Sequence, residues 1–538
     1  MKHSIKSMMF VGAILVGLLM GFTSCDEIFG DADPAPIFPE LPTAPIASVT
    51  VAPTVTAGTI TAGSTTAIVT VATVDGGTMM YKVTITNTKP SSTEGFTATV
   101  PTAAGLEPGT YYVWYYVKGD ATHSDSDICA TAIEVTVYSE MLTTPLTFEA
   151  KTAGAVITFK ENHAATGSAK DIEYSTDGGT TWTAGNTGGT GVSVTLTNVG
   201  DKVMFRGTNA TYCVVGVGNY NNRFSCTEDC YVYGNIMSLI NKDNFATNKE
   251  LTEKNAFSIM FYNNTHIINH DTKTLELPAT TLTQGCYWEM FDGCTGLTTA
   301  PKLPATTLAD ACYQEMFAGC TALAAAPELP ATTLKGACYY EMFVGCTALT
   351  TAPALPATTM AVRCYREMFE GCTALTAAPT LSATTLADYC YALMFANCSD
   401  LTTAPELPAT TLAERCYWGM FGNCTALTAA PALPATTLKD YCYDSMFYGC
   451  TNLIETPKLP ATTLVDYCYN LMFYNCTSLT KAWVKADYTV ANNECTDMFK
   501  GCTNAATSTF YSDYAGNWMT AFPTVLSNWV TAAYPTAP

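Results

Sequence analysis

The residues most able to do chemistry are cysteines, set in pairs eight apart: Cys286/Cys294, Cys312/Cys320, Cys338/Cys346, Cys364/Cys372, Cys390/Cys398, Cys416/Cys424, Cys442/Cys450 and Cys468/Cys476. Residues eight apart on a helix lie about 12 Å apart. A disulfide needs Cα atoms about 4.4–6.8 Å apart, so bonding within a pair is excluded on a helix. Buried thiols acting as small apolar core residues are the leading expectation. Bonding between neighbouring repeats stays open, and zinc is a third option that a C-x7-C spacing without histidine supports poorly. Outside the pairs, Cys213, Cys226 and Cys230 are candidate disulfide partners. The histidines are His3, His123, His163, His266 and His270. The last two have the spacing of a helical metal pair but fall where a loop or strand is expected, so no metal and no cofactor are predicted. Glu289, Glu315, Glu341 and Glu367 recur at one position of successive repeats and read as a solubilising column on an exposed helical face. No nucleophile elbow, phosphate loop, zincin motif or paired-carboxylate constellation is found, and the expected class is non-enzymatic.

The element that must position these residues is a 26-residue unit repeated from near Thr274 to about residue 480, as in LPATTLADACYQEMFAGCTALAAAP (Leu303–Pro327). A fixed period of this length signals stacked units that bury an apolar face only against their neighbours. Cys312, Tyr313, Met316, Phe317 and Cys320 fall at i, i+1, i+4, i+5 and i+8, which predicts one stripe of a short helix ended near Gly319. Leu323, Ala326 and Leu329 are the expected inward positions of a short strand, kept extended by Pro327 and Pro330. Ala256–Asn264 mirrors CYxxMFxGC without its cysteines, a degenerate first unit. Cys495–Cys502 is a shortened last one, and the aromatic tail with Trp518 and Trp529 is the expected cap.

The motif CYxxMFxGCTxLTxAPxLPATTL is similar to the BspA-like leucine-rich repeats of bacterial surface proteins, over roughly residues 250 to 504. That resemblance implies an α/β leucine-rich-repeat solenoid and adhesion to host matrix proteins, glycoconjugates or other bacteria. The 26-residue period and the extra cysteine before Tyr depart from the common form.

The N-terminal half differs. Residues 1–25 read as a signal peptide, with Lys2 and Lys6 before the apolar run Met8–Met20, which is too short to span comfortably. Phe22-Thr23-Ser24-Cys25 resembles a lipobox, so Cys25 is the expected lipidation site and membrane anchor. The acidic residues that follow resemble surface-exported lipoproteins of the Bacteroides type, and the expected location is the outer face of the outer membrane. Residues 26–46 are a Pro/Asp-rich spacer. Residues 47–138 alternate like an all-β sandwich, and GTYYVWYYVKGDATHSD resembles bacterial immunoglobulin-like stalk modules. Residues 141–230 are a second β-sandwich-like module. It holds Ser175–Trp182, which resembles the Asp-box of sialidase propellers and here signals a hairpin rather than catalysis. Residues 231–504 carry the repeats and 505–538 the cap.

A net charge of -21 without basic clusters excludes phosphate-backbone binding, so nucleic acid is not an expected partner. Proteins or glycans of host or bacterial surfaces are. The candidate binding surface is the set of outward positions that differ between otherwise matching repeats. Beside the strand these are Lys302, Glu328, Ala354, Thr380, Glu406, Ala432 and Lys458. Near the helix they are Trp288, Tyr340 and Trp418, then Tyr389, Tyr441 and Tyr467. Polysaccharide capture through the exposed aromatics is the alternative, and a glycan hydrolase is disfavoured.

Overall fold

The computed structural model describes residues 44–535 apart from 58, 161–169, 186–190, 213–221, 489–492, 504–507 and 527–528. The leader, Cys25 with its expected lipid, His3, His163 and Cys213 lie outside these residues, as does most of the spacer. The described chain is β-rich, with two β modules followed by a regularly repeating C-terminal region. Its α-helices are confined to Glu140–Thr143, Ala515–Ala521 and Pro523–Leu526. No helix among the described residues is long and apolar enough to cross a membrane.

In the first module, strands Ile60–Thr61, Ile133–Tyr138, Gly109–Gly119 and Gly77–Thr84 form one sheet in that order. Its long central strand uses the two-residue period of a pleated chain. Val113 and Val117 enter one apolar cluster, while Trp114 and Tyr116 pack with Phe96 on the other face. Of the tyrosines beside them, Tyr111 and Tyr115 are half-buried against the first cluster.

The second module places strands Leu146–Ala150, Glu173–Ser175, Lys202–Arg206 and Cys230–Asn235 in one sheet, and Ala155–Lys160, Val192–Leu196 and Arg223–Cys226 in another. The Ser175–Trp182 segment is the expected turn of a hairpin. The Asp177 carboxylate accepts from the Thr181 N–H (2.9 Å) and hydroxyl (2.6 Å), and the Trp182 indole donates to the Gly179 carbonyl (3.0 Å). Cys226 and Cys230 are free thiols rather than the expected disulfide partners.

In the repeats, the expected helix is absent. Ala311, Glu315 and Gly319 take φ of 53°, 54° and 65°, left-handed residues placed every fourth position. The amides of Cys312, Gln314, Met316, Ala318 and Cys320 each donate three residues back. Those of Ala311, Tyr313, Glu315, Phe317 and Gly319 donate instead to the next unit, at Gly336, Cys338, Tyr340, Met342 and Val344. The segment is therefore a ribbon of consecutive turns stitched to the next ribbon like a parallel β-ladder. A period of four puts two residues in and two out, as a helical stripe does, so the buried set is the expected one: Cys312, Tyr313, Met316, Phe317 and Cys320 are each at most 1% exposed. Left-handed backbone costs a residue with a Cβ about 1–2 kcal/mol, and the hydrogen bonds to the neighbouring rung offset it.

Each rung continues through an extended segment whose two prolines remove backbone donors. Only isolated parallel bridges form there, such as Thr299↔Ala325 and Thr307↔Thr333. Beyond the last full unit, Lys481–Val484 lacks proline, and a four-stranded parallel sheet develops from Glu455–Leu459 through Lys481–Val484 and Thr509–Tyr511 to Val530–Ala532. Trp518 is wholly buried against Phe499, Phe510 and Phe522, and its indole donates to the Ala486 carbonyl (3.0 Å).

Inside the stack two aromatic columns run the length of the array. Phenylalanines from Phe261 to Phe499 stack at 5.3–5.8 Å between ring centres. Tyrosines from Tyr287 to Tyr469 stack at 5.7–6.1 Å. The second module continues this core. Strand Cys230–Asn235 pairs with Leu146–Ala150 on one side and with Ile267–Ile268 and Leu275–Glu276 on the other. The N–H groups of Tyr212 and Phe224 bond the carbonyls of Ala256 and Met260, as a preceding rung would. Asn264, in a cysteine position, donates to the Phe224 carbonyl and accepts from the Cys226 N–H, both at 3.3 Å. One apolar cluster consequently extends from Leu146 to Trp529.

All the described repeat cysteines are free and buried. The second thiol of each unit has a fixed role: Cys320, Cys346 and Cys372 donate to the carbonyls of Phe291, Phe317 and Phe343 at 3.1–3.2 Å. Burial pushes the Cys286 and Cys450 thiols up to about 12, which suppresses the reactive thiolate. Native protein at pH 8 will therefore react with a thiol-specific reagent on the order of 100-fold more slowly at these positions than guanidinium-unfolded protein. Its thermal midpoint will not fall on adding reductant. Rapid labelling of Cys286 or Cys450 in the folded chain would contradict their burial, and failure of the unfolded chain to label there without reductant would contradict the free thiols.

Candidate functional site

The ribbon and the extended segment each present outward columns, one residue per rung. Lys302, Glu328, Ala354, Thr380, Glu406, Ala432 and Lys458 form one column, all exposed, with charges that change sign along it. A shallow groove of about 340 Å³ lies beside Glu406, walled by Pro405, Pro408, Pro431 and Pro434. Trp288, Tyr340 and Trp418 share a second column on the outside of the ribbon and are half-buried. Gln314 separates the first two, and Arg366 and Ala392 separate the second from the third, so they make no continuous aromatic surface.

A continuous run occurs instead in the neighbouring column. The Arg363 guanidinium lies 5.4 Å from the Tyr389 ring centre, and Arg415 lies between Tyr389 (5.4 Å) and Tyr441 (4.1 Å). Tyr441 stacks on Tyr467 at 4.5 Å, and the Asn493 amide donates to the Tyr467 hydroxyl at 2.7 Å. Arg366 links this run to Tyr340, 5.2 Å from its ring centre. These contacts tie each rung to the next on the outside, as the phenylalanine and tyrosine columns do within. Variation between repeats marks the participants, but the alternation of Arg and Tyr at 26-residue spacing was the signal that they touch.

The glutamate column is not the expected solubilising face. Glu289 is 7% exposed, and Glu315, Glu341 and Glu367 are half-buried. They occupy left-handed ribbon positions, φ 51–55°, which place them side by side between the bulkier outward residues. Burial, then the carboxylates of Glu315, Asp292 and Glu341, push the Glu289 carboxyl up to about 7. Burial likewise raises Asp292 to about 6 and lifts Glu315 and Glu341 above the usual carboxylate range.

His266 and His270 do not form a metal pair. The His266 Nδ1 sits 3.1 Å from Asp229, whereas the His270 ring packs edge-on to Tyr231 and Tyr233. Among the described residues no group of histidine, cysteine and carboxylate side chains is arranged to hold a metal ion.

The largest departure from the repeat lies beside His270. The step from Asn264 to Leu277 is thirteen residues, against nine from Cys294 to Leu303 and from Cys320 to Leu329. The four extra residues leave a cavity of about 310 Å³ where the first rung meets the second β module. Val232, Leu275, Phe291 and Leu297 contribute its apolar lining, and Asn269, His270, Lys273, Glu276 and Lys302 its polar groups. Lys273 is fixed by the Glu149 carboxylate (2.9 Å) and the Tyr233 hydroxyl (3.2 Å). Sequence reading passed over this site because the insertion shows only when the ribbon and LPATT spacings are compared separately.

Searches with this chain against protein-family models, curated proteins and solved structures find no match.

Proposed function

We propose that the chain is a surface lipoprotein of the BspA-like leucine-rich-repeat type, anchored through Cys25 and raised on its β modules. Its repeat stack binds macromolecules of host or bacterial surfaces. The observation that carries this reading is the contrast between inside and outside. Inward positions keep the same residue types from rung to rung, whereas Lys302, Glu328, Ala354, Thr380, Glu406, Ala432 and Lys458 differ in charge and size on one exposed column. A frame held constant by packing cannot discriminate partners, so selectivity must reside in such positions.

The test is binding of the full chain to arrays of matrix proteins, mucins and bacterial surfaces. The triple variant Glu328→Ala, Glu406→Ala, Lys458→Ala will lose at least 10-fold in affinity for the partner found, with an unchanged melting temperature. Absence of any partner, or indifference to the triple change, would remove the support for adhesion. Polysaccharide capture through Trp288, Tyr340 and Trp418 is the second reading, weakened by their partial burial and by Gln314, Arg366 and Ala392 between them. Under it, substitution of those three by Ala abolishes glycan retention and spares protein binding. A hydrolase finds no nucleophile or acid/base pair in the sequence to carry it.

A further inference from the structure

We infer that the cavity at the first rung is a binding site for a single acidic sugar residue. The insertion that creates it is the place where the repeat period is interrupted between two full ribbons, and the inserted stretch itself supplies His270 and Lys273. Lengthening a loop while packing continues undisturbed on both sides leaves space rather than disorder, and here the space is lined on two contrasting sides. The apolar lining suits the C–H face of a pyranose ring. The volume of about 310 Å³ sits at the lower end of the ~300–1,000 Å³ of small-molecule sites, which limits the occupant to one ring or little more.

The polar groups select the ligand's charge. Lys302 lines the cavity and has no hydrogen-bond or ion-pair partner among the described residues, so its ammonium is free to meet a carboxylate. Lys273 adds a second cation held in place by Glu149 and Tyr233. His270 accepts the Thr272 N–H at its Nδ1 (3.1 Å), which puts the ring proton on Nε2 as a donor. Glu276 brings a carboxylate, already bonded to the Thr274 hydroxyl at 2.6 Å. It accepts sugar hydroxyls and repels a multiply charged anion such as a phosphate ester. One carboxylate, several hydroxyls and one apolar face are together the description of a uronic or sialic acid. The site shares Lys302 with the outer column of the adhesion reading, but its other groups, Asn269, His270, Lys273 and Glu276, lie outside that column.

The experiment is titration of the full chain, in detergent, with glucuronic acid, galacturonic acid and N-acetylneuraminic acid, using glucose and galactose as neutral controls and ligand-observed NMR as readout. At least one acidic sugar will bind, and its neutral counterparts at least 10-fold more weakly. Lys302→Glu will weaken binding at least 10-fold with no change in melting temperature, because Lys302 is exposed and unpaired. Lys439→Glu, at an exposed lysine several rungs away and outside both columns, will leave affinity unchanged. No binding by any acidic sugar, equal binding of acidic and neutral sugars, or an effect of Lys439→Glu equal to that of Lys302→Glu would each overturn the assignment.

Discussion

Replacing Phe343 by alanine will lower the stability of the repeat stack by about 3–5 kcal/mol, the usual cost of emptying a fully buried aromatic site. The ring is 0% exposed and stacks between Phe317 and Phe369, 5.7 Å from each. Its backbone ties its own rung to the next: the N–H donates to the Met368 carbonyl, and its carbonyl accepts both the Cys346 N–H of the same rung and the Cys372 thiol of the following one. The cavity cannot collapse without shifting those bonds, which places the expected cost high in the range. Because each rung packs mainly on its neighbours, the loss should weaken both halves of the array rather than one repeat. Urea unfolding measures it. A change below about 1 kcal/mol would mean that the phenylalanine column carries little of the core.

The carboxylate column gives the second large effect, with a sign opposite to that of an ordinary ion-paired surface. Glu289 is buried and pushed up to about 7 from 4.5, and Asp292 to about 6 from 3.8, chiefly by burial. The cation that bears on this column is Arg366, which pairs with Glu367 (2.7 Å) and also acts on Glu341 and the nearby Glu370. A raised carboxyl binds its proton more tightly folded than unfolded, so its favourable contribution is complete below about 4.5 and is lost as pH rises through about 7. Against its burial, Glu149 is held below the usual range by the Tyr233 hydroxyl and by Lys273 and Lys202, and Glu173 by Lys242, against its own burial, and by Arg206; both act in the other direction only below pH 4.5. Stability will therefore fall between pH 5 and pH 8, by about 2–3 kcal/mol for Glu289 alone. Glu289→Gln will recover most of that loss at pH 8 and flatten the profile. Melting temperatures across this interval decide the matter: a profile that rises with pH, or a variant that tracks the parent chain, would show that the column is hydrated.

The inward residues of the array were legible because burial imposes a strict choice at every rung: Cys312, Tyr313, Met316, Phe317 and Cys320 were placed correctly from spacing alone. Their backbone was not. Periods of 3.6 and four residues coincide over two turns, and nine residues are too few to separate them. The discriminating signal lay at Gly293, Gly319, Gly345 and Gly371, replaced at the same position by Asn397, Asn423 and Asn475. Glycine and asparagine tolerate the left-handed region, and all seven adopt it. The misreading of Glu289 followed directly. On a helix that position would face water, whereas on the ribbon it stacks against the next rung. The Asp-box turn was legible because its hydrogen bonds are local, from Asp177 to residues within four of it. The pairing of Cys230–Asn235 with strands on both sides was not, because nothing in a single strand names its distant partners.

The most direct test of the shared stack is the thermal unfolding of a chain from which one whole rung, residues 329–354, has been removed so that Glu328 joins Leu355. The account predicts a cooperative transition within a few degrees of the parent, since Phe317 would meet Phe369 and the Ala311–Gly319 amides would find the carbonyls of Val362, Cys364, Arg366, Met368 and Glu370, which the removed rung had bonded. Loss of the cooperative transition, with exposure of the repeat thiols at room temperature, would contradict it.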